Sequence, residues 1–167
     1  MMNHQLNDSI ERILSVIGKG DILFIVPPFS RSCKGAYLDP HTLHALAAKK
    51  GYKADILYLN ILLASIVGVN ICERMGRVPR YWMLGERLFA RSAYGLPALG
   101  ESPELCWDEA MSISGNDRHH VKMFYDTENF FHQPSYLKLE EICYLFIDEV
   151  VKVIASLHYK IIWCSVG

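Results

Sequence analysis

Apolar residues fall along this chain in three kinds of block. The first, Ile10, Ile13, Leu14 and Ile17, is spaced for one face of a helix. Asp8-x-x-Glu11 reads as a capping box that opens it, and Gly18 and Gly20 close it. The second block is unbroken: residues 22–26 read ILFIV, with Asp21 before them and Pro27-Pro28 after. A run that is apolar at every position predicts a strand buried on both faces. It must end at the prolines, which donate no ladder hydrogen bond. Residues 29–38 form a loop containing Ser30, Ser32 and Gly35. Asp39 as N-cap, Pro40 at the first helical position and Gly51 as C-terminal cap then frame a helix over 41–50. Asp55 to Asn60 reads as a second strand. Strand, helix and strand within about 40 residues make a right-handed crossover with parallel strands.

After Asn60 the third kind of block, with helical spacing, takes over. Helices are predicted over 61–75 and 81–94. In the second, Leu84 and Leu88 share a face, but Arg91 interrupts the stripe. Pro97 and Pro103 mark a loop, 105–113 a short helix, and Ser114 to Asp117 a turn. Ser135 is a candidate cap for a long helix over 136–157. Its Leu139, Cys143, Phe146, Val150, Ile154 and Leu157 face inward, and Glu141, Asp148 and Lys152 face solvent. Asp148 and Lys152 are also spaced to pair at i,i+4, and Leu145 on the charged side predicts that this face is partly covered. Lys160 to Gly167 reads as the third strand.

The predicted class is therefore α/β, an incomplete Rossmann-like (flavodoxin-like) parallel sheet with strands near 22–26, 55–59 and 161–166. The whole of 1–167 is expected to be one domain, with a helical insertion at about 61–136. Sheets average about five or six strands. Three strands leave a sheet completed by another chain, a fragment of a longer protein, or an unusually small sheet, and a fragment or a truncated relative is the favoured expectation.

Composition narrows the partners. Of 167 residues, 51% are apolar and 21% charged, which excludes a disordered chain. With 17 basic and 18 acidic residues the net charge is -1, so no general attraction to nucleic acid or an anionic membrane is expected. Five cysteines, Cys33, Cys72, Cys106, Cys143 and Cys164, are widely spaced and never in CxxC. That argues against a disulfide framework or a zinc ribbon and for a reducing cytoplasm. No secretory signal opens the chain. Residues 56–72 carry no charge, but Asn60, Ser65, Gly68 and Asn70 interrupt them, and a membrane span needs about 20 mostly apolar residues.

In an open parallel sheet, ligands bind outside the carboxyl ends of the strands, where the strand order reverses. The candidate edges are residues 27–30, 59–60 and 165–167. Neither GxGxxG nor GxxxxGK[ST] is present, so a dinucleotide or P-loop nucleotide has little support. The run ILFIVPPFSRSCKGAYLDPHTLHALAAKKGYKADILYLNILLASIVG, followed by LGERLFARSAYG and later IIWCSVG, resembles the N-terminal region of cobalamin-dependent radical SAM enzymes. It is most similar to the peptide (RiPP) maturation and C-methyltransferase branch, to which YLN-x-x-x-A and Gly85-Glu86-x-x-Phe89 point. The resemblance implies a domain that binds cobalamin without a protein histidine on cobalt. By position it places Pro28, Phe29 and Ser30 beside the corrin, Asn60 at the end of the second strand, and Ser165, Val166 and Gly167 at the next crevice wall.

The family's iron–sulfur cluster needs CxxxCxxC, and none of the five cysteines has that spacing. A [4Fe-4S] cluster and S-adenosylmethionine therefore belong to a downstream domain, and no catalysis is expected from this chain alone. The implied function is the cobalamin-binding part of a peptide-maturation methyltransferase, with a precursor peptide or partner protein as its macromolecular contact. The alternative is a non-catalytic relative that acts as an assembly partner, for instance as a homodimer, through its open sheet edge. A third reading is an unrelated nucleotide or small-ligand α/β domain.

Other chemistry-bearing residues have plainer readings. His41 and His44 follow Asp39 at a helix start, where capping explains the segment and metal ligation lacks further ligands. His119, His120 and His132 flank Phe124, Tyr125, Phe130 and Phe131, which suits a loop held by aromatics or a peptide groove. Cys106 has no histidine close in sequence, so it is a poor nucleophile. Glu86 and Arg74, Arg77, Arg80, Arg87 and Arg91 suit a solvated, locally basic helical face.

Overall fold

The computed structural model describes residues 8, 10, 12, 15–29, 38–77, 84–98 and 133–164. Within them the chain is α/β, with a three-stranded parallel open sheet. Three strands, β1 (Ile22–Val26), β2 (Ala54–Tyr58) and β3 (Ile161–Cys164), pair in the order β2-β1-β3. The helices are α1 (Leu38–Lys49), α2 (Leu59–Val67), α3 (Val69–Arg77), α4 (Leu84–Tyr94) and α5 (Gln133–Ser156). Two compact units result, one of Met1–Gly76 with Glu149–Gly167 and one of Arg77–Asp148.

The first unit is organised by β1. Its register sets Ile22 against both Ala54 and Ile161, and Val26 against Tyr58. A central parallel strand is covered on both faces, and Leu23, Phe24, Ile25 and Val26 are all buried, as the unbroken apolar run requires. Trp163 of β3 meets Phe24 edge to face, with ring centroids 5.8 Å apart. Before β1, residues 8, 10, 12, 15 and 16 are helical, and Ile10 and Ile17 are buried.

One carboxylate ties the amino ends of the strands together. Asp55 Oδ2 accepts from the backbone N–H groups of Gly18, Lys19 and Gly20 at 3.1–3.2 Å and from the Tyr159 hydroxyl at 2.5 Å. The Gly18 N–H also donates to the Tyr159 oxygen. Gly18 has φ +88°, which favours glycine, and a Cβ on Gly20 would lie 3.0 Å from the Lys53 carbonyl oxygen. Beside this, Asp21 Oδ1 pairs with Lys160 at 2.7 Å, its Oδ2 accepts from the Lys53 N–H, and its carbonyl accepts from the N–H groups of Lys160 and Ile161.

Helix α1 ends as its sequence predicts. Gly51 has φ +83°, its N–H donates to the Ala48 carbonyl, and the Tyr52 N–H donates to Ala47. These two bonds form a Schellman cap. Its start departs slightly: the helix begins at Leu38, so Asp39 lies in the first turn rather than at the cap. Strand β2 also ends earlier than 59. At Tyr58 the backbone already turns, and Leu59 and Asn60 open α2 with no intervening loop. The expected helix over 61–75 is two helices. At Gly68, with φ 95° and ψ 141°, the N–H closes α2 on Ala64 and the carbonyl begins α3 by accepting from Ile71 and Cys72.

Helix α5 starts at Gln133, two residues ahead of the predicted Ser135 cap, and ends at Ser156. Pro134 in its first turn costs no helical bond there. Leu139, Cys143, Phe146 and Val150 are buried and Glu141, Asp148 and Lys152 exposed, as the predicted stripe has it, while Ile154 and Leu157 at its far end are only half-buried. Leu145 is half-buried, as a partly covered charged face requires. Lys152 pairs with Glu149 at 2.7 Å.

In the second unit the arginines of α4 engage α5. Arg87 reaches the buried Glu140 at 3.3 Å. Arg91 pairs with Glu141 at 2.9 Å and lies over the Tyr144 ring, 4.0 Å from its centre. The basic face expected to be solvated is thus partly an interhelical contact. The predicted helix at 105–113, the turn at 114–117 and the aromatic segment at 124–132 lie outside the described residues.

Asp55→Ala is expected to cost about 1–3 kcal/mol in urea unfolding, because three N–H groups and a hydroxyl lose one acceptor. Burial, and then the bond to Asp55, push the Tyr159 hydroxyl up to about 12. A raised pKa favours the protonated form in the fold, so this stabilisation is complete below pH 10 and lost as pH rises towards 12. Tyr159→Phe should flatten that alkaline limb of the stability curve; an unchanged limb would mean the hydroxyl is not responsible. In the second unit, Arg87→Ala should destabilise by about 1–3 kcal/mol and more than Arg91→Ala, since Arg87 faces a buried carboxylate and Arg91 an exposed one.

Candidate functional site

The strand order locates the site. From β1 the chain crosses through α1 to β2 on one side, while β3 lies on the other. The order reverses between β1 and β3, and a crevice opens outside their carboxyl ends at such a switch point. The edge is formed by Val26 followed by Pro27, Pro28 and Phe29, by Tyr58 at the end of β2, and by Cys164 at the end of β3.

Of the residues predicted to line it, Pro28 and Phe29 follow β1 directly and are half-buried. Asn60 sits in the first turn of α2 rather than at a strand end, and it is fully buried. Ser30, Ser165, Val166 and Gly167 lie outside the described residues. The side chain of Glu86 also lies outside them.

A polar pair on the same edge has no counterpart in the predicted site. His41, in the first turn of α1, and Tyr58, the last residue of β2, share a hydrogen bond of 2.7 Å between the imidazole Nε2 and the phenol oxygen. Their ring centroids are 6.1 Å apart. His41 is exposed and Tyr58 half-buried, and burial pushes the Tyr58 hydroxyl up from its ordinary range. His44 is structural, since its Nε2 lies 3.0 Å from the Ala54 carbonyl oxygen and ties α1 to β2. The two histidines of this segment are thus both engaged with β2, His44 at its start and His41 at its end. The signal in the sequence was a histidine at a helix start and a tyrosine closing the next strand.

The remaining chemistry is sparse. Cys72 and Cys143 are buried in the core, and burial pushes the Cys164 thiol up from its ordinary range. Among the described residues no group of three or more His, Cys, Asp or Glu side chains is placed to hold a metal ion. No described helix is long and apolar enough to cross a membrane.

A corrin is a flat, largely apolar ring with carboxamide arms at its rim. Half-buried Pro28 and Phe29 suit the ring. Asn60, enclosed by protein, offers no surface to such a ligand. No family model, curated protein or solved structure matches the chain.

Proposed function

We propose that this chain is a cobalamin-binding-type domain of a radical SAM peptide-maturation enzyme, serving C-methylation. The observation that carries the reading is the switch point between β1 and β3, with Pro27-Pro28-Phe29 leading out of the central strand. When bound, cobalamin would supply a transferable methyl group. Pro28 and Phe29 would bear on the ring, and the fold would hold it in position. The iron–sulfur and S-adenosylmethionine chemistry would lie in a downstream domain, and a precursor peptide would be the substrate.

Hydroxocobalamin titrated into the purified chain is expected to give a shifted corrin spectrum that comigrates with protein on gel filtration. Phe29→Asp should weaken that binding, while an unshifted spectrum at saturating corrin would sink the reading.

A second reading has its own observation. Ile161 and Ile162 point to opposite faces of β3, yet both are about half exposed (55% and 49%). Strands of parallel sheets are ordinarily covered on both faces. This favours a non-catalytic assembly partner, in which another chain completes the sheet at β3. Ile162→Lys is then expected to convert a dimer or larger species into monomer in light scattering. A wild-type chain that is monomeric at all concentrations rules out self-assembly through this edge.

A further inference from the structure

We infer that the outer edge of β3 takes an acidic peptide segment of a partner protein, added as a strand with its carboxylates on the lysines at the amino edge of the sheet. The inference names the partner for the assembly reading above and rests on that reading for the open edge. Backbone geometry defines what the edge offers. The Ile161 N–H donates to the Asp21 carbonyl, so the main-chain groups of Ile161 face β1. Main-chain groups alternate in direction along a strand, so the N–H and C=O of Ile162 point outward. Among the described residues no hydrogen bond engages them. On the opposite edge the Ala54 carbonyl of β2 is met by His44. A polypeptide backbone is what pairs with such a strand, and its side chains would cover the half-exposed Ile161 and Ile162.

Charge selects the segment. A lysine precedes each strand: Lys53 directly before β2, Lys160 directly before β3, and Lys19 in the turn before β1. Adjacent strands lie about 4.8 Å apart, so in sheet order these three form a row about 10 Å long. Lys49 and Lys50 stand at the end of α1, just before β2, and all five lysines are exposed. Two carboxylates share this edge, and both are taken. Asp55 is held by three backbone N–H groups and Tyr159, and Asp21 by Lys160 and the Lys53 N–H. Lys19, Lys49, Lys50 and Lys53 have no ion pair among the described residues. The chain as a whole carries -1, so the positive excess is local to this edge. A second copy paired through β3 brings no carboxylate to it, because residues 160–167 contain no acidic side chain. A nucleic acid has the charge but no ladder for Ile162.

End-blocked peptides carrying three aspartates before or after a Thr-Val-Thr-Val run test the inference, titrated to millimolar concentration into the full chain at low salt. Parallel addition puts the amino end of the peptide at the lysine row and antiparallel addition the carboxyl end, so both orders are used. One of them is expected to bind saturably and to slow hydrogen exchange of the Ile162 amide. Its analogue with lysines for aspartates should bind at least about tenfold more weakly. The triple variant Lys19→Gln, Lys50→Gln, Lys53→Gln should weaken the aspartate peptide by about tenfold and flatten its salt dependence. These three lysines serve the fold through their backbone groups, so the variant keeps the sheet.

Aspartate and lysine peptides that bind equally, or an Ile162 amide that exchanges at the same rate with and without bound aspartate peptide, overturn the inference. So does oligothymidylate that displaces the peptide and binds more tightly. Self-association abolished by Ile162→Lys, with no binding of either aspartate peptide, overturns this inference alone and leaves the assembly reading standing. A chain that is monomeric by itself but takes an aspartate peptide with protection of Ile162 upholds it.

Discussion

The first unit hangs on the carboxylate of Asp55. A parallel sheet has no hairpins, so nothing local fixes where each strand begins. Here one oxygen gathers three successive backbone N–H groups from the turn before β1 and the hydroxyl of a tyrosine just before β3. Asp55 itself belongs to β2. Three segments distant in sequence are therefore set to a common level by a single acceptor. Lys160 and Asp21 repeat the device at the surface with an ion pair. With the amino ends so aligned, the carboxyl ends fall level too, and Val26 stands opposite Tyr58.

How much of this was legible follows from what each signal depends on. The run at 22–26 identified β1 to the residue, because burial on both faces leaves no polar position to blur its edges. Gly51 identified the end of α1, because its left-handed backbone is a local requirement. The stripe of α5 was legible from its period. The boundary between β2 and α2 was not, since Leu59 is apolar and suits either element. The break at Gly68 was hidden for a related reason: apolar spacing continues on both sides of it, and one glycine carries the interruption.

The site was less legible than the fold. Pro28 and Phe29 could be placed because they follow a strand that was itself well marked. Asn60 could not, because the turn into α2 carries it into the core. His41 was visible as a residue but not as half of a pair, since its partner lies 17 residues away on another element. Likewise Glu140 gave no sign of being buried beside Arg87 across 53 residues. Contacts between elements are set by packing, and spacing along one element does not encode them.

The central position of β1 also orders events in time. Its partner β2 follows after a single helix, whereas the Asp21–Lys160 contact that begins the other ladder spans 139 residues. Closing a loop of that size costs more entropy than closing the βαβ crossover, so the near pairing forms first. While the chain is being made, the strand that will become the most buried therefore has one flank sealed and the other open. It stays so until Lys160, 139 residues further along, has emerged, a long interval in which an apolar ladder is available to strangers.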